Sequence, residues 1–161
     1  MSLKSWGSLF SNRLIVALLA VTALSAAGQF LVFPFFGPLL AKMAGANSSQ
    51  IAIAFAIFGI AGFVGNIAAS RIVGSFGTLR TSLIFFFAMM IGAGVWTMAA
   101  ENIILVFAAS AVWGLGFAAS NSMQQARLAG AAPALAGAAI ALNSSAIYVG
   151  QAAGSAVGGV M

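Results

Sequence analysis

The sequence predicts an all-α membrane protein, a polytopic bundle of about five transmembrane helices in a single domain over residues 1–161. Apolar residues make up 63% of the chain and charged residues only 4%, whereas about 25% of a soluble domain is charged. The apolar runs are also long and continuous, whereas the strands of a membrane barrel alternate in polarity. Helices are the other structure that satisfies the backbone within hydrocarbon.

Charges, prolines and polar clusters divide the chain into five segments, each close to the roughly 20 residues that a span requires. The predicted helices run from Leu14 to Ala41, Gln50 to Ile72, Arg80 to Ala100, Asn102 to Gln125, and Pro133 to Met161. The first segment has the basic flank of a signal peptide, but its apolar run exceeds the about 7–15 residues of a signal h-region. We therefore expect it to be a transmembrane helix.

The basic residues predict the orientation of this topology. Five of them fall on one side of the five-helix arrangement, namely Lys4, Arg13, Arg71, Arg80 and Arg127. The other side has Lys42 and Glu101, whose charges cancel. Because cytoplasmic loops carry an excess of Lys and Arg, we expect a cytoplasmic N-terminus and Met161 on the outer side. The basic residues form no patch, so nucleic acid is not an expected partner.

The composition excludes most reactive sites. The chain has no Cys and no His, and Glu101 is its only acid. A disulfide framework, a metal centre and a catalytic constellation are therefore not expected, and neither is a cofactor or an enzymatic activity. Proton relays in transporters use acids or His within the membrane. If transport is coupled to protons, the titrating group lies outside this chain.

The fifth predicted helix carries small and polar residues at helical spacing. Gly150, Gly154 and Gly158 recur at every fourth position, and small residues allow helices to approach closely in lipid. They predict helix packing, with a sliding or rocking surface as the alternative. Asn143 and Gln151 are eight residues apart and share one side of the helix.

Polar residues in the other helices are few. They are Thr22, Ser25 and Gln29 in the first helix, Asn66 in the second, and Asn121, Ser122, Gln124 and Gln125 in the fourth. Such groups either hydrogen-bond across helices or line a polar path. The third helix has none in its middle and is expected to face lipid. Pro34 and Pro38 lie among aromatic residues, and this pattern indicates either a kinked helix or an interfacial aromatic belt.

Four stretches resemble one known family. They are Gln29-Phe-Leu-Val-Phe-Pro-Phe-Phe, Phe58 to Asn66 with its Gly65-Asn66 pair, Val112-Trp113-Gly114-Leu-Gly116-Phe, and Ala141 to Gly159. They are similar to the seventh, eighth, tenth and eleventh helices of a major facilitator superfamily permease, in the sugar- and drug-efflux (arabinose-efflux-like) antiporter group. The loop motif departs from the family, because Gly74 and Ser75 replace its Asp and Arg.

The resemblance implies alternating access and proton-coupled efflux of a small organic solute, in a bacterial inner membrane. It also implies a fragment of a twelve-helix protein that lacks its N-terminal half and last helix. The expected partners are the lipid bilayer, a small-molecule substrate and the missing half. The alternative is a non-transporting remnant or a small helical subunit that assembles with a partner.

The resemblance and the polar pattern together assign residues to roles. The substrate-cavity candidates are Gln29, Asn121, Asn143, Tyr148 and Gln151. The helix-packing candidates are Gly65, Asn66, Gly150, Gly154 and Gly158. The candidates for the cytoplasmic loop are Arg71, Gly77 and Arg80.

Overall fold

All regular structure in the described part of the chain is helical, so the all-α prediction is confirmed. The structure, a computed structural model, describes residues 3–99 and 101–161. The helices are α1 (Leu3–Ser11), α2 (Arg13–Phe30), α3 (Phe36–Ala44), α4 (Ser48–Met98), α5 (Ile103–Ala131) and α6 (Ala136–Gly158). Short 3-10 turns at Phe33–Phe35 and Pro133–Leu135 precede α3 and α6.

Four helical segments of the described chain are long and apolar enough to cross a membrane. They are Arg13–Ala44, Ser48–Met98, Ile103–Ala131 and Pro133–Gly158. The second of these, α4, has 51 residues, and a straight helix of that length would measure about 76 Å. That is more than twice the roughly 30 Å hydrocarbon core, so one straight span does not account for α4.

The reversal occurs at Gly77, which divides α4 into two spans. Gly77 has φ 74° and ψ 163°, a combination that essentially only glycine adopts. On either side of this residue, Phe55 and Trp96 both lie with ring centroids 4.7 Å from that of Phe36. Phe55 and Trp96, which lie near the two ends of α4 in sequence, are therefore close together in space. The helix turns back on itself at Gly77, between them. Counting its two halves separately gives the five spans that the sequence predicts.

Several helix boundaries differ from those predicted. The expected loop from Arg71 to Arg80 is helical except at Gly77, because Gly74 keeps helical dihedrals and the helix continues to satisfy its own backbone. The helix predicted over 14–41 breaks at Phe33–Phe35, since Pro34 lacks the N–H that would continue it.

The last two predicted helices have different ends in the structure, and one short helix was not predicted. Helix α5 continues past Gln125 to Ala131, and α6 begins at Ala136 and ends at Gly158. The predicted end of the third helix, Ala100, lies outside the described residues. Helix α1 has no counterpart in the prediction, because nine residues are too few to span a membrane.

The chain divides into two compact units. The terminal unit comprises Met1–Pro34 and Gln124–Met161, and the central unit comprises Phe35–Met123. In the central unit, both halves of α4 pack against α5. Near the Gly77 turn, their shared core is a cluster of four buried residues, namely Ala69, Phe85, Ala119 and Met123. Arg71 and Arg80 flank that turn and are exposed.

The terminal unit is built on α2 and α6, with α1 and the last turns of α5 at one end. Asn12 ends α1 and caps α2, its Oδ1 accepting the backbone N–H groups of Leu14 and Ile15. The buried core at this end consists of Leu9, Ile15, Leu18, Leu128, Ala138 and Ala139. Because Leu9 and Trp6 of α1 both pack there, α1 lies across the end of the unit and does not continue α2.

Candidate functional site

The seam between α2 and α6 is closed by glycines. A Cβ added at Gly150 would collide with the backbone oxygen of Ala23, and one added at Gly154 would collide with that of Ala27. Both glycines are buried, and Gly158 at the end of α6 is half-buried. The two backbones thus approach more closely than any side chain at these positions would permit.

A buried polar pair lies in the same seam. The hydroxyl of Thr22 donates to Oδ1 of Asn143 at 2.8 Å and lies 3.1 Å from the backbone oxygen of Leu18. Thr22 is 7% exposed and Asn143 is 0% exposed. Contacts advance from Thr22 and Asn143 to Ala27 and Gly154 in the same direction along both helices, so α2 and α6 run parallel.

A second side of α6 is polar from Ser144 to Ser155. Its residues are spaced i, i+4, i+7 and i+11, which keeps them within about 60° of one another around the helix. They are Ser144, Tyr148, Gln151 and Ser155. This stripe is turned by about 110° from the glycine seam. Tyr148 is 69% exposed, and the other three are half-buried.

Helix α2 carries a matching polar stripe. Ser25 and Gln29 share one side of α2 with Leu18, and both are half-buried. Because α2 and α6 are parallel and packed side by side, the handedness of the helix places both stripes on the same side of the pair. We call this the polar face; it comprises Ser25, Gln29, Ser144, Tyr148, Gln151 and Ser155.

The chemistry of the polar face is that of neutral hydrogen-bonding groups. Hydroxyls, carboxamides and a phenol both donate and accept hydrogen bonds, and no residue of the face is charged. Exposing such groups to lipid costs free energy, so intramembrane polar side chains generally face a cavity or the interior of a bundle.

The structure separates the five predicted cavity residues into three places. Gln29, Tyr148 and Gln151 lie on the polar face, whereas Asn143 lies in the buried seam. Asn121 belongs to α5 of the central unit and is half-buried. Sequence reasoning left Ser25, Ser144 and Ser155 out of the candidates, although the i, i+4, i+7, i+11 spacing on α6 identifies two of them.

The central unit has its own close helix contacts. A Cβ at Gly65 would collide with the backbone of Leu115, and one at Gly92 would collide with that of Trp113. Gly114 and Gly116 of α5 are equally confined by the two halves of α4. Of these four glycines only Gly65 was among the packing candidates, and its neighbour Asn66 is exposed.

Comparison with known proteins supplies the family. No solved structure matches this chain. The family model described as Major Facilitator Superfamily matches residues 2–161, which is all but the first residue. The apolar spans agree with the membrane transporters that make up this family. The chain therefore belongs to the major facilitator superfamily and is an integral membrane protein.

Proposed function

We propose that this chain forms one wall of a secondary active transporter, along which a small organic solute crosses the membrane by alternating access. The observation that carries the proposal is the polar face. It places neutral donors and acceptors along two helices that are otherwise apolar enough to span the bilayer. A solute of sugar or drug-like size would exchange its hydration for these groups one after another.

Gln29, Tyr148 and Gln151 contact the solute in this proposal. Asn143 acts from the seam, where its bond to Thr22 keeps α2 and α6 together. The opposite wall is supplied by an N-terminal half like that of the superfamily members that the chain resembles.

The direction and coupling of transport also belong to the proposal. The resemblance of residues 29–36 and 141–159 to efflux antiporters supports proton-driven export across a bacterial inner membrane. Glu101 is the only acid and belongs to the central unit, so the coupling acid would come from the other half. The basic flanks support a cytoplasmic N-terminus and an outer position for Met161.

The test is a transport assay in inverted membrane vesicles that contain the chain joined to the N-terminal half that the proposal requires. An imposed pH gradient is applied, and accumulation of a panel of neutral sugars and lipophilic dyes is measured. We expect gradient-dependent accumulation of at least one solute, lost in Gln151→Leu and retained in Ser145→Ala. Ser145 is a matched control because it is exposed and its hydroxyl only donates to Ala141 of its own helix. Correct insertion without accumulation of any solute would favour the non-transporting alternative.

A further inference from the structure

Gln124 joins the last turns of α5 to the backbone of α2. Its Nε2 donates to the backbone oxygen of Leu18 at 2.7 Å, and its Oε1 accepts from Nη1 of Arg127 at 3.3 Å. Gln124 is 6% exposed and Leu18 is 3% exposed. Carboxamide side chains such as that of Gln commonly hydrogen-bond across neighbouring membrane helices, and this bond joins two segments that are far apart in the chain.

The bond is made on the polar side of α2. Leu18 lies seven residues before Ser25 and eleven before Gln29, so all three share one side of the helix. Leu18 is about 10 Å from Ser25 along the axis, towards the end at which α1 lies. The end of α5 thus packs on the same side of α2 that carries Ser25 and Gln29, but nearer to α1. Leu128 of α5 adds to this contact, because it lies in the same buried core as Leu18.

We infer that Gln124 is a positioning residue whose hydrogen bond to Leu18 keeps this end of the polar face closed. We call this bond the latch. The inference rests on the proposed function, in which the α1 end is cytoplasmic and must open once in each cycle. Releasing one hydrogen bond frees the end of α5 from α2, and Arg127 holds the carboxamide in the orientation that donates to Leu18. A solute on the face then reaches the α1 side only after this bond has broken.

The test measures the accessibility of an introduced cysteine. The chain has no native Cys, so any labelling reports on the introduced residue alone. Ser25→Cys is introduced into the full chain in membrane vesicles, and a membrane-impermeant maleimide is added from the α1 side. Labelling of Ser11→Cys, an exposed position at the end of α1, identifies that side. We expect slow labelling at position 25, accelerated about three- to tenfold by Gln124→Met, which keeps the length and removes the donor.

Gln125→Met is the matched control, because Gln125 is the same residue type one position further and is half-buried. Equal acceleration by Gln125→Met, or none by Gln124→Met, overturns the latch. If Gln124→Met does not insert, Gln124→Asn takes its place, since the shorter carboxamide cannot reach Leu18.

Labelling needs no solute, so its result is independent of the transport assay. If only Gln124→Met accelerates labelling but no solute is transported, the proposed function alone is refuted. If a solute is transported but Gln124→Met does not accelerate labelling, the latch alone is refuted.

Discussion

Thr22 and Asn143 are held together across the seam between α2 and α6, with 2.8 Å between the hydroxyl and the amide oxygen. Both side chains are buried, and Gly150 and Gly154 bring the two backbones together on the same seam. Polar and steric interactions therefore act at one contact, in an environment where the hydrophobic effect does not drive helices together.

Replacing Asn143 with Leu should weaken this contact. We expect the free energy of unfolding in detergent to fall by about 0.6–2 kcal/mol, and transport to fall while membrane insertion is retained. A double-mutant cycle with Thr22→Val isolates the bond itself. Strictly additive effects of the two changes would show that the Thr22–Asn143 bond contributes nothing, and unchanged transport would remove Asn143 from any functional role.

Enlarging Gly154 should separate α2 from α6. Gly154→Leu places its side chain against the backbone of Ala27, and we expect a loss of about 3 kcal/mol or more in detergent unfolding, with loss of activity. The control is Gly137→Ala on the same helix, where an added Cβ has nothing within 4 Å. A folded and active Gly154→Leu protein would contradict the close contact.

Gly77→Ala tests the turn within α4. Its φ of 74° and ψ of 163° are unfavourable for any residue with a Cβ, so we expect a cost of about 1–3 kcal/mol in thermal unfolding. Gly74→Ala, three residues earlier, has open space around the added Cβ and helical dihedrals. That control should be neutral or stabilising by about 0.5–1 kcal/mol. The same effect from both substitutions would argue against a turn at residue 77.

The orientation is tested with single cysteines at two exposed positions, Ser11 and Lys42. Helix α2 lies between them, within an apolar segment that runs from Arg13 to Ala44 and includes Lys42 near its end. An impermeant thiol reagent should label Ser11→Cys from the cytoplasmic side only and Lys42→Cys from the outer side only. Labelling of both from one side would rule out a span between them, and labelling on exchanged sides would invert the proposed orientation.

The sequence predicts the helical class and the number of spans because both follow from composition and from the length of apolar runs. Composition and flanking residues do not separate Gly77 from Gly74, since each glycine lies between an apolar and a hydroxyl residue; only the family resemblance singles out Gly77 for the loop. The sequence indicates a kink near Pro34 but leaves the aromatic belt as an alternative, because only the three-dimensional path shows where helical bonding stops.

The candidate site is predictable in part for a related reason. Helical spacing shows that Asn143 and Gln151 are on roughly one side of α6, but it does not show where the neighbouring helix lies. Once α2 packs on Gly150 and Gly154, Asn143 belongs to the seam and Gln151 to the polar face. The pairing of Gln124 with the backbone of Leu18 leaves no signal in the sequence, because any backbone oxygen can accept a hydrogen bond.

The partners in the α2–α6 seam are distant along the chain, with 121 residues separating Thr22 from Asn143. At a synthesis rate of about 5–20 residues per second, α2 is complete about 6–24 s before that part of α6 exists. During that interval the backbone of Ala23 and Ala27 faces the bilayer or an insertion factor instead of glycine. Assembly of this pair is therefore a late, post-insertion event, and variants at Gly150 or Gly154 should accumulate as inserted but unpaired chains that quality-control proteases can recognise.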